Sequence, residues 1–127
     1  MSIDNIRLSE KAKTQLITLK RRTGIQHWNV LCRWAFCRSL AEPSIPPYEM
    51  IPADSNVEMT WKTFAGSRRS VYWALLKERA RHDGYDLTDA QLLTVFRLHV
   101  HRGISYLLSK QSLADVLESA LESNYKR

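Results

Sequence analysis

A mainly α-helical, compact domain with a proline-rich surface loop is the fold class that this 127-residue chain predicts. Three observations predict it. Apolar residues recur at helical spacing over successive stretches, and Ser or Thr stands before several of these stretches with Gly after them. All four prolines fall within residues 42–56, so helix breakers are confined to one segment. The length fits a single domain spanning residues 1–127, enough for one core.

Residues 24–40 hold the densest apolar run and are expected to form the central helix. Trp28, Leu31, Cys32, Ala35 and Phe36 follow the i, i+3, i+4, i+7, i+8 rule, and Trp34 and Cys37 widen the stripe. A helix apolar over so much of its circumference has to be covered from more than one side, by the rest of the chain or by a second copy. Cys32 and Cys37, five apart on a helix, point in different directions. They read as small core residues, with neither a disulfide nor a metal site expected.

Ahead of this helix, residues 3–8 alternate loosely and suit a short strand or an extended arm. Ser9 then supplies an N-cap, and Leu8, Ala12, Leu16 and Leu19 draw one apolar line along a helix to about Arg22. Lys20, Arg21 and Arg22 before Gly24 are what a helix C-terminus favours, and the next helix should follow almost at once. The proline-bearing segment is expected to lie along the surface, pinned by Ile45, Tyr48, Met50 and Ile51. Val57, Met59 and Trp61 alternate with polar residues, as a short strand or extended piece with one buried side would.

A third helix should start at Ser67 or Ser70 and run to about His82, with Val71, Leu75, Tyr72, Leu76 and Ala80 inward, until Asp83-Gly84 stops it. Thr88-Asp-Ala-Gln91 has the form of a capping box, behind which a fourth helix runs to about Lys110. Gly103 within that helix costs about 1 kcal/mol relative to Ala, so another backbone or ring should approach closely there. Residues 112–121 show the spacing of a last amphipathic helix.

Charge is unevenly distributed around a net +6. Residues 1–40 carry eight Lys or Arg against two acids, residues 41–61 four acids and no base, and residues 62–82 six bases against one acid. Lys13 and Lys20 fall on one flank of the first helix, Lys11 and Arg22 on the other, and Arg21 on the outer face. On the third helix Lys77 and Arg81 stack, while Arg68 and Arg69 stand at its entrance, where the dipole disfavours cations by a few tenths of a kcal/mol. A phosphate held there would offset that cost. The surplus fits either a solvated basic surface or backbone-directed contact with nucleic acid.

Other chemistry finds little support. No zinc-finger spacing, P-loop, RNP aromatic set or HExxH is present, so no metal, cofactor or base-reading module is expected. Arg97, His101 and Arg102 read as buried or interfacial hydrogen-bonding groups in preference to a catalytic site, no carboxylate or nucleophile being placed with them in sequence. No apolar run approaches the twenty residues of a membrane span, and no signal peptide opens the chain, so a cytoplasmic protein is expected.

Three runs carry a family resemblance: Lys20-Arg-Arg-Thr-Gly-Ile-Gln-His-Trp-Asn-Val-Leu-Cys-Arg-Trp-Ala35, Ser55-Asn-Val-Glu-Met-Thr-Trp-Lys-Thr-Phe-Ala-Gly66 and Phe96-Arg-Leu-His-Val-His-Arg-Gly-Ile-Ser-Tyr-Leu107. Together they resemble DndE, a small protein of bacterial DNA phosphorothioation systems, in which sulfur replaces a non-bridging phosphate oxygen. The resemblance implies a ribbon-helix-helix-like opening at residues 5–8 with two helices joined at Gly24. It also implies a homotetramer, a non-enzymatic role, binding of nicked duplex DNA through surface lysines, and partners that include sulfurtransferase-like and ATPase subunits. The DNA-contact set is then Lys11, Lys13, Lys20, Arg21, Arg22, Arg68, Arg69, Lys77 and Arg81, and Gly24, Trp28, Trp34 and Phe36 are expected at or near a subunit contact. A scaffold that binds only protein partners is the competing reading, and a nuclease the weakest, since no carboxylate cluster for Mg²⁺ is apparent.

Overall fold

The computed structural model describes residues 3–109 together with 121 and 122. In chain order the elements are β1 (Ile6–Arg7), α1 (Glu10–Thr23), α2 (Trp28–Leu40), β2 (Glu58–Met59), α3 (Trp61–Ala65), α4 (Arg69–His82) and α5 (Asp89–Leu108), with a 3₁₀ turn Gly66–Arg68 between α3 and α4. The fold is mainly helical. The helix expected over residues 112–121 lies almost wholly outside the described residues.

α2 and α5 form the central pair, and α1 and α4 each pack against α5. The pair meets at Gly103: a Cβ there would stand 1.7 Å from the Ala35 carbonyl oxygen, so only glycine lets the two backbones approach this closely. Around the crossing Phe36, Phe64 and Phe96 are fully buried. Phe64 meets Phe96 edge-on with ring centroids 4.7 Å apart, and Trp61, Tyr72 and Trp73 extend the cluster from α3 and α4.

The local signals set most helix ends. Ser9 accepts the Ala12 N–H at 3.0 Å to open α1, and Gly24 closes it in the left-handed conformation, φ +77°, donating its N–H to the Lys20 carbonyl. Thr88 opens α5 by accepting from the Gln91 N–H, while the Gln91 side chain reaches back to the Asp86 N–H. α2 begins later than expected, at Trp28, because residues 24–27 form a connecting turn and not a first helical turn.

That central helix is covered largely by its own chain. Leu31, Cys32, Ala35 and Phe36 are buried, Trp28 is half-buried, and Trp34 and Cys37 are the exposed remainder. Phe36 presents no surface of its own, since the α3 and α5 aromatics enclose its ring. Cys37 is likewise a surface residue and not a core one.

β1 pairs antiparallel with β2, Ile6 opposite Met59 and Arg7 opposite Glu58, and the Arg7–Glu58 ion pair closes at 2.7 Å. The strand that opens the chain thus finds a partner within the chain. On α4 the buried line is Leu76 and Ala80 with half-buried Tyr72 and Trp73; Val71 and Leu75 face outward. Both lines are apolar in sequence, and the Phe36–Phe64 cluster selects the one that carries Tyr72.

The proline-bearing segment is held differently from the expectation. Ile45, Tyr48 and Met50 are 50%, 64% and 85% exposed, so of the four expected pins only half-buried Ile51 turns inward, together with buried Pro46. Proline-rich extended chain has carbonyls without ladder partners, and an arginine fork can serve several at once. Arg79 donates to the carbonyls of Leu40, Glu42 and Ser44, Arg102 to those of Ser39 and Ser44, and Arg97 to those of Ile51 and Pro52.

Candidate nucleic-acid interface

Burying Ala12, Leu16 and Leu19 fixes the rotation of α1, so its cations lie on the flanks and outer face. Lys11, Arg21 and Arg22 are exposed and Lys13 and Lys20 half-buried. Two of these side chains are also engaged within the chain. The Lys20 ammonium lies 3.4 Å from the centre of the Trp28 ring, a cation–π contact that draws the start of α2 against the end of α1. Arg22 donates to the Leu108 carbonyl at 3.3 Å.

The second group sits on α3 and α4. Arg68 occupies the N-cap position of α4 with no side-chain cap, and Arg69 opens the helix; both are exposed, as is Arg81, while Lys77 is half-buried. Arg81 also reaches Glu78 at 3.4 Å, an exposed pair worth little. Lys62, exposed on α3, belongs with this group although the sequence reading left it out. The count of bases over residues 62–82 was the signal that could have included it.

The remaining arginines among the described residues are occupied. Arg33 donates to the Phe64 carbonyl at 2.8 Å, Arg38 stacks over Tyr106 at 4.9 Å, and Arg7 serves Glu58 and the Ser55 carbonyl. Arg97 and His101 bind backbone, as the sequence suggested: the Arg97 carbonyl accepts from His101 Nδ1 at 2.7 Å, and the Ser9 N–H donates to His101 Nε2 at 3.3 Å.

Arg102 belongs to a network that sequence distance concealed. Its Nε donates to Ser39 Oγ at 2.8 Å, Ser39 Oγ lies 2.8 Å from His99 Nδ1, and His99 Nε2 lies 2.8 Å from Asp83 Oδ2. Arg79 Nε donates to the other Asp83 oxygen at 2.9 Å. Since Ser39 can donate to Nδ1, the simplest assignment gives His99 its proton on Nε2, toward the carboxylate. A hydroxyl is thus placed with Arg102, which the sequence reading had left without one, and through that hydroxyl His99 and the Asp83 carboxylate.

The arrangement has the membership of a Ser-His-Asp relay without the access one needs. Ser39 and the side chains of His99 and Asp83 are at most 1% exposed, and an arginine N–H already occupies the serine oxygen. Burial raises the Asp83 carboxyl, but hydrogen bonds from His82, His99 and Arg79 outweigh it and hold it below its ordinary value. Burial lowers His99, and Arg79 and Arg102 outweigh with it the upward pull of Asp83. The network therefore favours a neutral histidine and a charged carboxylate, clasping α4, α5 and residues 39–44 together. Burial pushes the Cys32 thiol up to about 12, which leaves it without nucleophilic character at neutral pH.

Together these features define a small helical domain whose inward arginines hold its own backbone and whose other cations are displayed on α1, α3 and α4. Residues 5–115 match the family described as DNA sulphur modification protein DndE, and the chain belongs to that family, an accessory component of DNA phosphorothioation systems. Among solved structures it is similar to DndE from Escherichia coli B7A, involved in DNA phosphorothioation modification. The two share 27% identity over 84% of this chain and 98% of that one, with a TM-score of 0.71. A double glycine-to-lysine mutant of DndE shares the fold, at 23% identity over 84% of this chain and 99% of that one, TM-score 0.65. No curated protein matches the chain. Among the described residues no helix is long and apolar enough to cross a membrane, and no group of three or more His, Cys, Asp or Glu could hold a metal ion.

Proposed function

We propose that this chain is a cytoplasmic, non-enzymatic, DNA-binding accessory of the phosphorothioation system that grips duplex DNA, nicked in preference to intact, through its phosphates. One observation carries the reading. Lys11, Lys13 and Arg21 on α1 and Arg68, Arg69, Lys77 and Arg81 at or on α4 remain at the surface, Lys20 and Arg22 are accessible but also engaged within the chain, and Arg7, Arg33, Arg79, Arg97 and Arg102 are bound to the chain's own acceptors. The contact set is Lys11, Lys13, Lys20, Arg21, Arg22, Arg68, Arg69, Lys77 and Arg81, joined by Lys62. Contacts of this kind position a protein on DNA and carry no base sequence, in keeping with a chain that has no base-reading motif.

Assembly into a homo-oligomer, a tetramer in the proposal, would cover the apolar residues that α2 leaves at the surface. Trp34, 37% exposed, and half-buried Trp28 remain candidates, with Gly24 setting the joint between α1 and α2. Reversing charge at Lys13, Lys20, Lys77 and Arg81 together should abolish binding to a nicked duplex, as read by fluorescence anisotropy across a salt series. Unchanged affinity of the folded variant would sink the reading. If the wild-type chain fails to bind DNA at near-physiological salt, the scaffold reading takes its place.

A further inference from the structure

Between α1, α5 and residues 46–54 lies a cleft of about 480 Å³, a volume in the range of small-ligand sites. Its walls are apolar: Ala12 from α1, Leu98 from α5, and Pro46, Pro47 and Met50 from the proline-bearing segment. Buried Pro46 and the backbone held by Arg97 and Arg102 give the cleft its shape before anything enters it. Most polar groups that line it are spent on the chain itself. The two His101 nitrogens face the Arg97 carbonyl and the Ser9 N–H, Arg102 serves Ser39 and Ser44, and Asp54 accepts the Glu10 N–H at 2.8 Å. The Lys11, Gln15 and Glu49 side chains line the cleft and are not spent in this way. Lys11 and Gln15 stand one turn apart on the flank of α1 that also carries Arg22, about three turns further along.

We propose that this cleft takes the terminal nucleobase of a DNA strand at a nick, with the adjoining phosphate held at its mouth by Lys11. The inference rests on the DNA-binding reading and gives a cause for the preference of nicked over intact duplex. Charge selects the part of the nucleotide that enters. A phosphate meets one cation at the mouth, while the Glu49 and Asp54 carboxylates disfavour it further in. A nucleobase is flat, uncharged and edged with donors and acceptors, so it suits apolar walls that carry an amide and a carboxylate. Gln15 can both donate and accept, and Glu49 can accept from an exocyclic amine, as carboxylates do from cytosine. Access selects the strand end. A base inside an intact duplex gives up its pairing and the stacking on both faces to leave the helix, whereas at a nick one backbone link is already open and the end can fray. The flank of α1 supplies the path, since phosphates held at Arg22 and Lys11 lead the strand to the cleft.

The test uses the full chain with nicked and intact duplexes that carry the fluorescent base 2-aminopurine, either at the strand end or at the same position without a nick. Binding should raise its emission at the nick, where unstacking relieves quenching, and leave it unchanged in the intact duplex. Ser105 is exposed on α5 beside the cleft, so Ser105→Trp fills the space, and Gln15→Leu keeps the shape but removes the amide. Each variant should weaken binding to the nicked duplex by about fivefold or more, the loss expected for one base contact. Affinity for the intact duplex, its salt dependence and the oligomeric mass should keep their wild-type values, and the thermal transition of Ser105→Trp should be unmoved. The inference alone is overturned if folded variants keep the wild-type ratio of nicked to intact affinity, if 2-aminopurine at the nick stays silent, or if the wild type binds both duplexes equally. A change of oligomeric mass in Ser105→Trp overturns it as well and assigns the cleft to a second copy. A wild-type chain that binds neither duplex removes the DNA-binding reading and the inference together, so the two failures are told apart by the intact duplex.

Discussion

His101 is held neutral by what its two nitrogens face. The Arg97 carbonyl can only accept, which puts the proton on Nδ1, and the Ser9 N–H donates to Nε2, which must then be bare. Burial lowers its pKa from 6.5 to about 4, the Arg97 carbonyl raising it and the Arg97 charge lowering it further. The folded value lies below the unfolded one, so the contribution to stability is complete above pH 6.5. As pH falls the unfolded chain takes up a proton that the folded chain refuses, and the contribution is lost down to about pH 4. The size is on the order of 3 kcal/mol over that window, at about 1.4 kcal/mol per pH unit. Urea unfolding at pH 7, 5.5 and 4.5 should show stability falling, and His101→Gln should flatten the trend; an equally steep fall in the variant would assign it to other groups. His99, also lowered, acts in the same direction. Ser39→Ala tests the neighbouring network. It leaves Arg102 Nε and His99 Nδ1 without their partner in a dry site, a cost of about 1–3 kcal/mol by denaturant titration. A cost near zero would show that the hydroxyl does not hold the clasp.

Between elements the decisive contact is the α2–α5 crossing. Gly103→Ala places a methyl on the Ala35 carbonyl, which backbone cannot evade without parting the central helices. Overpacking of this kind costs about 1–3 kcal/mol or more, against about 1 kcal/mol gained in helix propensity, so a net loss is expected in chemical denaturation. A neutral or stabilised variant would mean that the helices do not pack this closely. This crossing was legible in sequence, because a glycine inside a good helix is a local signal, and so were the ends of α1 and α5, whose caps lie within four residues of the groups they serve. The hold on the proline segment was not legible. Its anchors, Arg79, Arg97 and Arg102, lie 35 to 63 residues from most of the carbonyls they bind, and no periodicity records such a pairing. The inward face of α4 was misread for a related reason: Val71 and Leu75 are as apolar as Leu76, and only the aromatic cluster on α2 and α3 chooses between them. Arg102→Lys gives a further check on the clasp. An ammonium cannot reproduce a planar fork, so limited proteolysis between residues 42 and 48 should speed up several-fold, while an unchanged rate would show the fork to be dispensable.

Over the whole molecule the same side-chain type is put to two uses, and composition reports only their sum. The sequence shows an excess of six positive charges, and helical geometry names the α1 cations, but nothing local reveals that Arg7, Arg33, Arg79, Arg97 and Arg102 are committed to the chain's own acceptors, or that Arg22 and Arg81 each give one bond to them. The two displayed groups belong to α1 and α4, each packed on α5, so whether one duplex touches both is a question of assembly as well as of charge. Salt dependence answers it. Each phosphate contact adds about 0.9 to the slope of log K against log salt for B-form DNA. Lys13→Gln with Lys20→Gln should lower that slope by about 1.8, Lys77→Gln with Arg81→Gln by a similar amount, and the four together by about 3.6, if both helices lie on the bound DNA. Lys20→Arg is the control for charge, since arginine keeps both the cation and its stacking on Trp28 and should leave the slope as it is. A response confined to one pair would restrict the interface to that helix and leave the other group to a different partner. No response from either would remove the phosphate contacts from these helices and with them the proposed mode of binding.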